Sequence, residues 1–244
     1  MRSRTRRVLA GITMRNTRAC VVERFLRQRM ARKQQTVVFF SNTHFIDRCH
    51  GLRDHLRRGV VVLNDGLGVD IASLLVYGAP FRENLNGTDF VPRLLSRLSA
   101  PTRVYLVGST VESVWAAAVA VSRLPNAIVV GWRDGYSLWM DEAGVIRDIC
   151  ERRPDILLVG LGNPLQERWI LANRERLPST VILGVGALFD FMSGARPRAP
   201  LMLRRMRLEW AFRLAQEPHR LIGRYTVGAA RFLFMVLASV VGAA

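Results

Sequence analysis

The chain has 244 residues, half of them apolar and 23% charged, enough for one hydrophobic core with an appendage. Three cysteines (Cys20, Cys49, Cys150) are too few and too scattered for a disulfide scaffold or a zinc cluster. No uninterrupted apolar run reaches about 18 residues, which on that criterion excludes a membrane-spanning helix.

The net charge of +17 is unevenly spread. Residues 1–35 hold 11 basic residues against Glu23 alone, and residues 196–244 hold nine arginines against Glu209 and Glu217. Residues 36–195 balance 16 basic with 16 acidic residues. A polyanion is therefore expected to meet the ends of the chain and not its middle: nucleic acid, an anionic membrane surface or a phosphorylated ligand. The same arithmetic divides the chain into a basic N-terminal segment (1–35), a central domain (36–195) and an arginine-rich C-terminal appendage (196–244).

In chain order, residues 1–20 have no steady apolar period and no secretory-signal pattern, and read as a flexible basic leader with Met14 as an alternative start. From residue 36 onward, short apolar runs alternate with helix-length stretches. The runs are residues 37–40, 60–63, 104–107, 128–130, 156–159 and 181–183, rich in Val and Ile and each ending at Gly, Asn or Ser. Continuous apolar runs indicate strands covered on both faces, so the expected fold is α/β: a Rossmann-like, mostly parallel sheet with crossover helices, among them 111–124 and 164–176. Residues 193–200 (SGARPRAP) read as a linker into helical stretches at 201–215 and, after Glu217-Pro218, at 219–240. On a helix, Arg220, Arg224 and Arg231 fall within about 40° of one another, opposite Leu221, Ile222, Tyr225, Phe232, Leu233 and Val236. That pattern predicts an amphipathic, membrane-associating helix; a solvated face on a helix packed to the core is the alternative.

Ligands of such sheets bind beyond the carboxyl ends of the strands. Those ends carry Ser41-Asn42, Asn64-Asp65-Gly66, Gly108-Ser109, Gly131 with Gly135-Tyr136 beyond it, Gly160-Leu161-Gly162 with Gln166-Glu167, and Gly184-Val185-Gly186 with Asp190. Small residues opening helices suit a phosphate-bearing ligand, with Gly108, Gly162 and Gly186 the closest-approach candidates. Neither G-x-G-x-x-G nor G-x-x-x-x-G-K-[ST] is present, and no D-x-D exists to clamp a metal, so amides and arginines would stabilise a leaving diphosphate. The four histidines offer no ligand spacing. Asp65, exposed at a strand end, is the leading general-base candidate, with capping of the next helix as its alternative. Asp89 reads as a cap, and Asp190 as either a ligand contact or a cap.

Taken in order, several segments resemble the WecG/TagA/CpsF glycosyltransferase family. They are Leu63-Asn64-Asp65-Gly66-Leu67-Gly68-Val69, Gly87-Thr88-Asp89, the run from Pro154 to Glu167, the run from Gly184 to Phe191, and Leu208-Glu209-Trp210 through Arg213 to Gln216-Glu217-Pro218-His219-Arg220 and Arg224-Tyr225. The resemblance spans about residues 36–235. It implies an inverting, metal-independent enzyme without cofactor. Such an enzyme moves a hexose-type sugar from a UDP-sugar to an undecaprenyl-diphosphate-linked saccharide at the cytoplasmic face of the bacterial inner membrane. By the same resemblance Asp65 is the base; Asn42, Thr88, Arg213, Arg220 and Arg224 serve the acceptor; and Gly135, Tyr136, Gln166 and Asp190 serve the UDP-sugar.

Two departures, Phe40 before Ser41-Asn42 and Asn84 where many members have arginine, lean the donor toward a plain hexose such as glucose and the product toward an exopolysaccharide. A basic nucleic-acid-binding protein and a non-catalytic membrane scaffold are the rival readings, and a homo-oligomer is left open.

Overall fold

Each of the six apolar runs becomes a parallel strand of an eight-stranded sheet in the computed structural model. The structure describes residues 5–56, 59–206 and 208–241, without the side chains of Leu201, Arg205, Arg220, Arg224, Tyr225, Val240 and Val241. The elements are β1 (Arg6–Leu9), β2 (Ile12–Arg15), α1 (Ala19–Ala31), β3 (Thr36–Ser41), α2 (Thr43–Cys49), β4 (Val60–Asn64), α3 (Leu67–Tyr77), α4 (Gly87–Ser96), β5 (Thr102–Gly108), α5 (Val111–Ser122), β6 (Ala127–Arg133), α6 (Gly135–Met140), α7 (Glu142–Arg152), β7 (Ile156–Gly160), α8 (Leu165–Asn173), β8 (Val181–Gly184) and α9 (Leu188–Met192). The C-terminal part adds α10 (Leu201–Arg205), α11 (Glu209–Gln216), α12 (Pro218–Tyr225) and α13 (Val227–Val241).

The strand order is β1-β2-β4-β3-β8-β7-β5-β6, antiparallel only between β1 and β2. Alternate residues of the inner strands feed two cores, one on each sheet face. On one face Phe39, Tyr105 and Ile182 pack with α2, α7 and α8 through Phe45, Ile149 and Ile170. On the other, Val38, Leu106 and Leu183 pack with α1, α4 and α5 through Leu26, Val91 and Val121. Burial on both faces is why these strands read as unbroken apolar runs.

The N-terminal segment corrects the expectation of a flexible leader. Its alternation is real: Arg7, Leu9, Ile12 and Met14 point inward on a hairpin closed by Ala10 and Gly11, both with positive φ. The inward arginine masks the pattern. Arg7 donates to the Ala79 carbonyl (2.6 Å) and to Ser73 Oγ, and its guanidinium lies 5.4 Å from the Tyr77 ring and 5.2 Å from the Phe81 ring. Glu23, the lone acid of this segment, is buried in α1 and paired by Arg93 (2.6 Å) and Arg97 (3.6 Å).

Three further expectations shift. β6 runs on through Gly131, which sits in the strand because Tyr105 and Arg152 side chains cross it; a Cβ there would lie 2.6 Å from Tyr105. The stretch 201–215 divides into α10 and α11, and 219–240 into α12 and α13 about Thr226. Thr226 Oγ1 donates back to the Ile222 carbonyl (2.7 Å), a bond that bends helices. Finally, Leu221–Ser239 forms a 19-residue stretch of mean hydropathy 1.4, long and apolar enough by length and composition to cross a membrane, which corrects the exclusion drawn from uninterrupted runs. In the fold Leu221, Phe232 and Val236 of this stretch are buried.

The hairpin yields a stability prediction. Arg7→Ala should lower stability by about 2 kcal/mol, through lost packing and a stranded carbonyl, whereas exposed Arg6→Ala should stay within about 0.5 kcal/mol; urea denaturation of both variants checks this.

Candidate active site

The crossover from β5 to β6 and that from β7 to β8 leave in opposite directions, so the sheet parts at the carboxyl ends of β5 and β7. Only glycine allows the two ends to meet. Gly108 has φ +126°, and a Cβ on it would lie 2.4 Å from the Gly160 carbonyl oxygen. Above this point lies a cavity of about 480 Å³, walled by Ser109, Gly135, Tyr136, Trp139, Asp190 and Arg196. A second cavity, of about 540 Å³, opens above β3, β4 and β8; its wall includes Asn42, Asp65, Thr88, Gln166, Gly186 and Arg213. Arg196 lines both.

The sequence-derived site residues thus fall into two groups. Gly135, Tyr136 and Asp190 belong to the first cavity, and Asp65, Asn42, Thr88, Gly162, Gln166, Gly186 and Arg213 to the second. Gly108 lines neither and acts on the backbone beneath them. Arg220 and Arg224 fall in α12, with side chains outside the described residues.

At Asp65 the capping alternative fails: Gly66 (φ +90°) occupies the N-cap position of α3, with no side-chain cap. The Asp65 backbone N–H is tied to the Ser41 carbonyl (2.8 Å), and Asn42 Nδ2 lies 3.4 Å from its Oδ2. Asn42 itself caps α2 through Oδ1 (3.0 Å from Phe45 N), so its amide orientation is fixed. Asn84 Oδ1 accepts from Gly66 N (2.8 Å) and holds the turn that presents the carboxylate.

Asp89 is not the cap either, since Asn86 fills that position on α4. It anchors the C-terminal part instead, accepting from Arg198 (2.9 Å) and Arg204 (3.2 Å). Burial pushes its carboxyl up, but Asn86 and the two guanidiniums win and hold it below the usual range. Thr88 Oγ1 accepts from Arg198 (3.2 Å). Asp190 accepts from Ser109 Oγ and pairs with Arg196 (3.2 Å), which also reaches Glu217 (3.6 Å). Arg213 lies 4.6 Å above the Phe191 ring and pairs with Glu209 (2.9 Å). Arg196, Arg198 and Arg204 were not among the expected site residues; their signal, two arginines punctuating a Gly/Pro linker and a third on the helix after it, gains meaning only beside Asp89 and Asp190.

Gln166 is buried, with its amide committed on both sides: Oε1 accepts from Gly186 N (2.9 Å) and Nε2 donates to Glu167 Oε1 (2.8 Å). It shapes the β8 loop from beneath the second cavity. Glu167 also accepts from Asn163 (2.6 Å), with the Cys49 thiol beside it. Burial pushes the Glu167 carboxyl up to about 7 against the hydrogen bonds from Gln166 and Asn163. Burial and this carboxylate push the Cys49 thiol up as well.

The carboxyl edge of the sheet, where ligands of α/β proteins bind, thus carries two cavities that share one guanidinium, with a carboxylate on a strand-end turn in the second. The chain belongs to the glycosyl transferase WecG/TagA/CpsF family, whose model matches residues 7–243. It is similar to proteins named N-acetylglucosaminyldiphosphoundecaprenol N-acetyl-beta-D-mannosaminyltransferase. That of Bacillus spizizenii is 34% identical over 65% of this chain and 62% of its own length. That of Staphylococcus aureus (strain MW2) is 32% identical over 77% and 71%, and that of Bacillus subtilis 32% identical over 68% and 65%. The chain thus spans under two thirds of the length of the two Bacillus relatives.

Glu167 gives a pH prediction. Its folded value of about 7 exceeds the ordinary 4.5, so the folded state keeps a proton that the unfolded chain has released between these values. The stabilisation is complete below the unfolded value and lost as pH rises through the folded one. Relative to the parent chain, Glu167→Gln should therefore gain on the order of 3 kcal/mol between about pH 5 and about pH 8. Urea midpoints across that range check it; a difference independent of pH would contradict the assignment.

Proposed function

We propose that this chain transfers a hexose-type sugar from a UDP-sugar to a lipid-diphosphate-linked saccharide, with inversion and without a metal. The observation that carries the reading is Asp65: a carboxylate that caps no helix, set on a glycine turn in the wall of the second cavity, with Arg196 leading to the first. The first cavity takes the nucleotide, with Tyr136 as a face for the uracil and Asp190 and Ser109 as polar partners. The second takes the acceptor sugar and its diphosphate, with Asn42, Thr88 and Arg213 on its wall.

In the transfer step the Asp65 carboxylate takes the proton of an acceptor hydroxyl as that oxygen bonds to the anomeric carbon. The bond from that carbon to the diphosphate oxygen breaks, and UDP leaves with the electron pair toward Arg196 and the loop amides. The names of the relatives support a lipid-linked acceptor and an N-acetylmannosaminyl donor for those proteins. Phe40 and Asn84 are the features that favour a plain hexose here. The relatives' names contain no exopolysaccharide assignment, and the reading rests on the transfer step alone. The chain works at the cytoplasmic face of the inner membrane, held there peripherally through residues 196–244.

Two measurements test this. With a panel of UDP-sugars and undecaprenyl-diphosphate-linked N-acetylglucosamine, Asp65→Asn should lower kcat by about 10²- to 10⁴-fold with little change in donor KM; turnover at the parent rate would remove the base from the mechanism. Within the same panel, faster transfer from UDP-N-acetylmannosamine than from UDP-glucose would overturn the plain-hexose assignment and leave the transferase reading intact.

A further inference from the structure

The outward face of α3 is unusual for a helix flanking an α/β sheet. Such helices turn polar side chains to water, and α7 does so with Glu142, Arg147 and Glu151. On α3 the outward positions are Ile71, Leu74 and Leu75, which are 44%, 50% and 66% exposed. The helix contains one charged residue, Asp70, and it is buried, accepting from Phe81 N (3.1 Å). Three apolar residues at i, i+3 and i+4 form one continuous face.

This face leads out of the second cavity. Leu67 and Ile71, on the first turns of α3, line that cavity, and Leu75 lies one turn beyond Ile71. α13 lies against α3 and repeats the arrangement. Ala229 lines the cavity, and Leu233 and Leu237, four and eight residues further along the same helical face, are exposed. Two apolar rows on adjacent helices therefore run outward from one opening.

The rim carries a cation, exposed Arg231 on α13. At the far end of α3 the Tyr77 hydroxyl bonds both the N–H and the carbonyl of Val8 (2.7 and 3.0 Å), fastening that end of the helix to the main chain of β1. Exposed apolar rows edged by arginine fit an anionic lipid surface: the apolar groups enter the headgroup–acyl boundary and the guanidiniums meet lipid phosphates.

We propose that the α3 face is a membrane-contact surface of the sheet domain itself, which with the adjoining row of α13 seats the second cavity against an anionic bilayer. This rests on the reading above that the acceptor is lipid-linked, and extends the membrane contact from the C-terminal part to the helix that carries the catalytic turn. A carrier lipid would then present its diphosphate at the cavity mouth without leaving the bilayer.

The test is partition of the full-length chain onto vesicles of phosphatidylglycerol and phosphatidylcholine, measured by flotation. Leu74→Gln/Leu75→Gln should bind about tenfold more weakly than the parent chain with an unchanged unfolding midpoint, and the apolar replacement Leu75→Trp should retain binding. Binding by the double variant equal to that of the parent overturns the proposal. So does a parent dimer that the double variant converts to monomer, since the face would then belong to a second copy. Transfer is assayed separately on detergent-dispersed acceptor. Vesicle binding without transfer would count against the proposed reaction alone, and transfer without vesicle binding against the α3 surface alone.

Discussion

The arrangement of both cavities depends on two carboxylates on the sheet domain that hold arginines of the following segment. Asp190 pairs with Arg196, and Asp89 takes Arg198 and Arg204. These contacts fold residues 193–206 back across the carboxyl edge of the sheet, and α11 then lays Arg213 on Phe191. Partly buried, charge-assisted bonds of this kind fix geometry more than they add stability. Three of the nine arginines in residues 196–244 thus have structural partners among the acids of the middle.

The cavities lie where the topology requires. Crossovers leaving β5 and β7 in opposite directions open the sheet at one place, and glycines bring the backbone close enough for that opening to be shallow. Asp65 sits three strands away from β7, at the end of β4, on a turn held by the main chain of Ser41 and the amides of Asn42 and Asn84.

The parallel sheet was legible because strands buried on both faces leave an unmistakable run of Val, Ile and Leu, and the strand-end positions of Asp65 and Asn42 followed directly. The β1–β2 hairpin was not legible. Its alternation contains Arg7, whose inward direction depends on the Ala79 carbonyl and two rings far along the chain. The linker arginines escaped for the same reason: Arg198 finds Asp89 across 109 residues, and no local pattern announces that partnership. Gln166 was expected at the UDP-sugar, but it lies under the second cavity with its amide spent on Gly186 and Glu167, a commitment visible only once the buried carboxylate is seen beside it.

The meeting of Gly108 with Gly160 has a corollary for ligand choice. Where two backbones touch with no room for a methyl group, the ground beneath the first cavity is peptide and little else. A substitution that alters what this cavity admits has no purchase there and must act through the walls, at side chains such as Tyr136 and Trp139.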